Sequence, residues 1–328
     1  MNRSIIVLLF VVGTQSAFGQ GALSPTAAPA PTMRTLAQVE PRTPISALPA
    51  TISASGSYYI TTNLTGIAGG TNGITILVND VTLDLSGFTL LGVTGSGSGI
   101  YVPSSERNLA IRNGVLDSWG NQGVFAANVY NSQFERLRVS NTGGDGLQAG
   151  SNCVVLICSV SGIGGNGIDA NNSTVISCTA NGGINVGINA LNNSTVIGCT
   201  ASGNNTGIDV QNNSTVKDCT TSGNNASGIV VEGNNCLIAG NNCSGNRGPI
   251  AIGISIDGGG SHNRIDGNTV VNNNDYGIFP SSANAGNSIT RNFASGNGSA
   301  PYGNFAGNAD YAPTGSVSTA TNPWTNFQ

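Results

Sequence analysis

NNSTVISC at Asn171–Cys178 returns as NNSTVIGC at Asn192–Cys199 and as NNSTVKDC at Asn212–Cys219, at intervals of 21 and 20 residues. Each copy follows a Gly-Ile step, at Gly167-Ile168, Gly187-Ile188 and Gly207-Ile208. A chain that repeats itself at this period is a stack of one small unit, since each unit can bury its apolar side chains only against its neighbours. Working outward, a Gly followed by an apolar residue recurs at Gly73-Ile74, Gly99-Ile100, Gly123-Val124 and Gly146-Leu147, and again at Gly228-Ile229, Gly253-Ile254 and Gly277-Ile278. These ten steps predict about ten turns, tightest in the middle of the chain.

Within one unit the alternation is that of strands. In GIDANNSTVISCTANG (Gly167–Gly182), Ile168 and Ala170 fall on one face and Asp169 on the other. Val175 opens a second inward set, and Cys178 with Ala180 a third. Gly and Asn clusters between the three pieces provide the positive-φ positions that tight corners need. No unit holds ten residues of helical periodicity, which excludes βα repeats, and the period is not a multiple of six, which excludes the hexapeptide left-handed helix. The fold class predicted is all-β, a parallel β-helix with three short strands per turn and a length on the order of 45–50 Å. The Asn pair of NNSTV is then a corner, its Val and the following Cys are core columns, and its Ser and Thr face outward.

The unit resembles that of right-handed parallel β-helix proteins, the pectate-lyase-like superfamily of pectate lyases, polygalacturonases and alginate epimerases. Gly-Ile-x-Val after a polar turn, then Val-x-x-Asn-x-Ala, is their common repeat, and here Cys stands where the ladder Asn is usual. Ile74–Gly92 resembles the first turn of such proteins, and the likeness covers about residues 55–300. It implies a right-handed solenoid, but the motifs that carry the family's chemistry are missing. The NTD, adjacent Asp pair, GHG and RIK of polygalacturonases do not occur, and the strand face offers no Arg base of the pectate-lyase kind. The YG-apolar-DPH segment of alginate epimerases corresponds to Tyr276-Gly277-Ile278-Phe279-Pro280-Ser281, in which Phe279 and Ser281 replace the Asp and His.

The chain's organisation follows from composition. Arg3, the apolar run Ile5–Val12 and Ala17-Phe18-Gly19 predict an export signal over residues 1–19, cleaved after Gly19. Residues 20–32 are a Pro/Ala-rich linker, 33–60 an N-terminal cap with a short helix and a strand, 61–297 the β-helix, and 298–328 a C-terminal cap. The aromatics Tyr302, Phe305, Tyr311, Trp324 and Phe327 are expected to close that end. Ile5–Val12 is too short to span a bilayer. The expectation is a secreted or periplasmic monomer with no membrane insertion. Charged residues make up only 8% of the chain and the formal net charge is −4, so no basic footprint for nucleic acid exists.

The outward positions carry the candidate chemistry. Asp169, Asn189 and Asp209 form one column. Two turns put Asp169 and Asp209 about 9–10 Å apart, near the separation of the two carboxyls in inverting glycosidases. The same acids, with Asp145 nearby, would suit a Ca²⁺ ion on a sugar-binding face, whereas the bland reading is solvated aspartates beside turns. Their column neighbours Val230, Ser255 and Phe279 carry no acid. Cys158, Cys178, Cys199 and Cys219 share one column, and Cys153 and Cys236 another. A disulfide is within reach between adjacent turns, but in-register side chains point the same way, which favours a stack of buried free thiols. His262, the one histidine, reads as a surface turn residue. No other metal site or cofactor is expected. The function predicted is an exported, non-catalytic scaffold or carbohydrate-interacting surface protein, with polysaccharide as partner. The alternative is a polysaccharide lyase or glycoside hydrolase using Asp169 and Asp209.

Overall fold

The computed structural model describes residues 39–280, 286–303, 310–311, 314–315 and 322–328. The expected signal segment and linker, Ser281 and Phe305 lie outside the described residues. The chain divides into residues 1–41 and 42–328, and the second unit holds every strand described.

That unit is a right-handed parallel coil. Among the described residues its strands form one twelve-stranded sheet and one 24-stranded sheet. In the central repeat the strands are Ile168–Ala170, Thr174–Ile176 and Thr179–Asn181. The first belongs to the twelve-stranded sheet and the other two to the larger one. Each pairs residue for residue with the next turn, Ile168 on Ile188, Thr174 on Thr195 and Thr179 on Thr200. Ile168, Val175 and Ala180 are fully buried, so the three inward sets read from the sequence are the three sides of the core.

Three corners per turn make this possible. Asn172, Ser177 and Gly182 have φ of 51°, 52° and 64°. One turn on, the same places are taken by Asn193, Gly198 and Gly203. Asn and Gly enter the left-handed region at least cost, so a corner that must recur in register selects them. The Gly-apolar step has a different cause. A Cβ on Gly167 would stand 2.5 Å from the carbonyl oxygen of Gly187, and one on Gly207 2.4 Å from that of Gly228.

The residue after each corner points inward and forms a ladder. After the second corner stand Cys158, Cys178, Cys199, Cys219, Asn241, Asn268 and Asn292, all buried. The backbone N–H of Cys178 donates to Cys199 Sγ at 3.4 Å, and that of Cys199 to Cys219 Sγ at 3.4 Å. From there oxygen replaces sulfur: the Cys219 N–H donates to Asn241 Oδ1 at 2.9 Å and the Asn241 N–H to Asn268 Oδ1 at 2.9 Å. All seven cysteines are free and buried. The first corner carries a second ladder, in which Ser194 N–H donates to Ser214 Oγ at 3.1 Å. The repeat's Ser is therefore buried, not outward as expected. Counting back by two from Val175 puts Ser173 on the inner face, while the Thr between them stays half-exposed.

The coil is longer at both ends than the glycine steps indicate. Thr43–Ile45, Ala50–Ile52 and Gly56–Ile60 already pair in parallel within the two sheets, inside the segment expected to be a cap. At the other end Ala300–Tyr302 extends the twelve-stranded sheet and Phe327 pairs with Phe293. Twelve strands make about eleven turns, since these outermost strands lack the Gly-apolar signature. Trp324 stays half-exposed, with the Arg291 guanidinium 5.2 Å from its ring centroid.

The two kinds of ladder predict different mutational costs. Asn268→Ala takes the acceptor from the backbone N–H of Asn241, one of two acceptors from its side-chain amide, which keeps the Val216 carbonyl, and a donor from the Ile238 carbonyl. The unpaired N–H alone costs about 1–3 kcal/mol and the lost amide bonds add to it, whereas Cys199→Ala takes only a long, weak sulfur acceptor from the Cys178 N–H, at a cost of roughly 1–2 kcal/mol. Thermal melting should therefore drop further for Asn268→Ala, and equal shifts would refute the assignment. A chromogenic thiol reagent should titrate none of the seven cysteines before denaturation, since all are buried out of its reach, and burial also pushes the thiols of Cys153, Cys236 and Cys243 up, the last to about 12.

Candidate functional site

The outer face of the twelve-stranded sheet brings together most outward chemistry of the repeats. Between two inward residues each strand presents one outward side chain, and in-register pairing aligns these into a column. The column runs Tyr101, Phe125, Gln148, Asp169, Asn189, Asp209, Val230, Ser255 and Phe279. The alignment of Asp169, Asn189 and Asp209 expected from the repeat is thus present. Asn189 Nδ2 donates to Asp169 Oδ1 at 3.2 Å. Asp145 lies at the corner beside the column, where its Oδ1 accepts from the Asn166 N–H at 2.7 Å.

Past Asp209 the acids do not stop; they move sideways. Glu232 and Asp257 stand two residues beyond Val230 and Ser255, and Gln211, two beyond Asp209, donates to Glu232 at 3.5 Å. A step of two keeps a side chain on the same face, so the acidic strip continues in a parallel column. With Asp209, Asp275, Tyr276 and Phe279 these residues line a groove of about 480 Å³. The segment Ile250–Ile252 walls it, and Ile250 is exposed. At its far end Tyr276 and Phe279 stack with ring centroids 4.5 Å apart, and Ser255 Oγ donates to Asp257 Oδ1 at 2.9 Å.

The structure separates the two sequence-predicted acids. Asp209 lines the groove and Asp169 does not. Asp209 Oδ1 is shielded from solvent and accepts no hydrogen bond, as is Gln148 Oε1 in the same column. Burial, with the charges of Glu232 and Asp257, pushes the Asp209 carboxyl up to about 7. Asp169 is also raised by burial, aided by the charge of Asp145 and opposed by hydrogen bonds from Gln148 and Asn189. Among the described residues no three His, Cys, Asp or Glu side chains converge to hold a metal ion.

Sequence reasoning missed Glu232 and Asp257, because counting single columns leaves out the position two residues on, and Asp275, which stands directly before the strand Tyr276–Pro280. The 25-residue interval between Gly228 and Gly253 marked the insertion that walls the groove. His262 is exposed at a corner, its Nδ1 3.2 Å from Ser261 Oγ. The nearby Asp266 is engaged by Arg264 and Arg291 instead.

This architecture is that of a right-handed parallel β-helix protein. Residues 169–316 match the family model described as "Right handed beta helix region". No curated protein matches the chain by sequence. Among solved structures it is similar to the A-module of the Azotobacter vinelandii mannuronan C-5 epimerase AlgE4, with 14% identity, 79% of this chain and 91% of that chain covered, and a TM-score of 0.59. The periplasmic alginate epimerase AlgG aligns at 13% identity over 79% of this chain and 74% of that one, with a TM-score of 0.53. The Dettilon tailspike protein aligns at 14% identity over 81% and 62%, with a TM-score of 0.50. Identity this low is a likeness of fold.

The raised acid in the groove has a signed effect on stability. Asp209 holds its proton more tightly folded than unfolded, where the value is roughly 3.9. Its contribution is therefore complete below a pH of about 4 and is lost as pH rises through about 7. Asp209→Asn should leave unfolding stability unchanged at pH 4 and raise it by roughly 4 kcal/mol at pH 8, read from urea midpoints. A gain of the same size at both pH values would contradict the assignment.

Proposed function

We propose that this chain is an exported, polysaccharide-binding β-helix protein whose ligand lies along the outer face of the twelve-stranded sheet. One observation carries the reading: a groove with a stacked aromatic pair, Tyr276 and Phe279, at its end and carboxylates along its sides. Sugar rings offer C–H faces to aromatic rings and hydroxyl donors to carboxylates, so this pairing of side chains suits them. Asp209, Asn189, Asp169 and Asp145 extend the polar strip back from the groove, and Tyr101 stacked on Phe125 at 5.2 Å closes its other end. Seven turns separate Phe125 from Phe279, about 34 Å, which accommodates an extended chain. The names of the similar structures, two of them epimerases of mannuronan and alginate, support a polysaccharide as partner. Phe279 in place of the epimerase Asp supports binding without turnover. Export rests on the signal read at residues 1–19.

A second reading is favoured by one feature. A carboxyl that keeps its proton near neutral pH has the property of a general acid, and Asp209 has it. A glycoside hydrolase would use Asp209 as acid with Asp169, two turns away, as base.

A panel of soluble polysaccharides, scored for binding and for release of reducing or unsaturated ends, separates these readings. Phe279→Ala should weaken binding about ten-fold, the scale of one aromatic contact. Turnover abolished by Asp209→Asn would establish the hydrolase, and neither binding nor turnover would sink both.

A further inference from the structure

The groove is chemically one-sided. Asp209, Glu232, Asp257 and Asp275 line it, and none of its lining residues among the described ones is Lys, Arg or His. Carboxylates on exposed strands are normally matched by neighbouring cations or spread into water. Elsewhere Asp84 meets Arg42 and Arg112, Asp266 meets Arg264 and Arg291, and Asp117 accepts hydrogen bonds from Ser140 and Asn141. Among the described residues the four groove acids form no ion pair with a cation.

A second observation is independent of the charge count. Asp209 Oδ1 is shielded from solvent and receives no hydrogen bond from the protein. With that oxygen left unpaired, the Asp209 carboxylate gains from a cation that approaches it from the groove, which the residue lines. The neighbouring Tyr276 and Phe279 rings, stacked at 4.5 Å, add a face that attracts both sugar C–H groups and cations.

Resting on the polysaccharide reading of this same groove, we infer that its ligand is a glycan bearing protonated amino groups, a hexosamine polymer with free amines. An ammonium group brings three donors and one positive charge into a space that lacks both. The acids select against the polyanionic uronates, because each carboxylate of such a chain would face like charges across a partly desolvated groove. A neutral sugar can donate hydrogen bonds to the groove carboxylates but leaves their charge uncompensated. The substrate class inferred from the walls thus differs from the uronate polymers in the names of the structurally similar epimerases.

The test uses the full chain and three probes of matched length: a glucosamine hexamer, its fully N-acetylated counterpart and an oligomannuronate hexamer, with affinities read by isothermal titration calorimetry at pH 6 and low salt. The free-amine hexamer should bind at least about ten-fold more tightly than the acetylated one, and the oligomannuronate should show no binding. In Glu232→Gln/Asp257→Asn the amine preference should disappear while binding of the acetylated hexamer persists. Asp218→Asn, whose carboxylate is exposed beside Lys217 and outside the groove, should leave the preference intact. Equal affinity for the amine and acetylated hexamers would overturn the inference while leaving the polysaccharide reading standing. So would a preference that survives the double variant, because it would reflect the net charge of the whole chain. Oligomannuronate as the tightest ligand would overturn it outright, and no binding of any glycan would remove both readings together.

Discussion

Parallel pairing between successive turns, with each strand residue in register with its equivalent one turn on, is the constraint on which the rest of the molecule depends. It makes every position a column, and a residue must suit its neighbours above and below as well as its own turn. The ladder that changes from Cys219 to Asn241 shows the tolerance of this rule. The inward residue after the corner has to accept the previous turn's N–H, and a thiol does so at 3.4 Å where an amide oxygen does so at 2.9 Å. The cysteine turns repeat every 20 or 21 residues, and the asparagine turns every 24 to 27. The compact side chain goes with the tighter coil, where Ala170 and Ala180 fill the interior. The wider early turns hold Phe134 and Trp119, whose Nε1 donates to the Leu90 carbonyl at 3.0 Å.

This constraint also explains what could be read from sequence. Wherever the repeat was near-identical, the residues declared their own columns: Ile168 over Ile188, Cys178 under Cys199, Asp169 beside Asn189. Positions that needed three-dimensional bookkeeping were less legible. Ser173 looked outward because it is polar, yet it is the hydrogen-bonding group of a buried ladder, donating to the Gly150 carbonyl at 2.8 Å. Thr43–Ile60 carried no Gly-apolar step and so looked like a cap, although its strands pair as the coil's do. At the site, Asp209 was legible as a member of a repeating column, while Glu232 and Asp257 belonged to irregular turns and to a column two positions away.

That displacement is itself a consequence of strand geometry. An outward acid can be moved along a strand only by an even number of residues without turning into the core. The strip passes from Asp209 to Glu232 and Asp257 by one such step of two, while Val230 and Ser255 keep the original column. A groove oblique to the strands results, bounded by the Ile250–Ile252 insertion on one side and ended by Tyr276 and Phe279. The repeats supply a flat ladder, and the irregular turns supply the relief that a ligand needs.

The fold therefore says less about activity than these departures from it do. A rod of stacked turns presents the same platform whether it is bare, binds a chain or cleaves one, and likeness to epimerases at 14% identity concerns the platform. What distinguishes this chain is local. Phe279 stands at the end of the outward column, and three further carboxylates lie among the residues that line the same groove as Asp209. Partial burial and the charges of Glu232 and Asp257 push the Asp209 carboxyl up to about 7, so the groove gains negative charge as pH rises through neutrality. An incoming ammonium group would favour the ionised form of Asp209 and so release its proton. Binding and protonation are then linked through one side chain, which the regular part of the repeat holds in place.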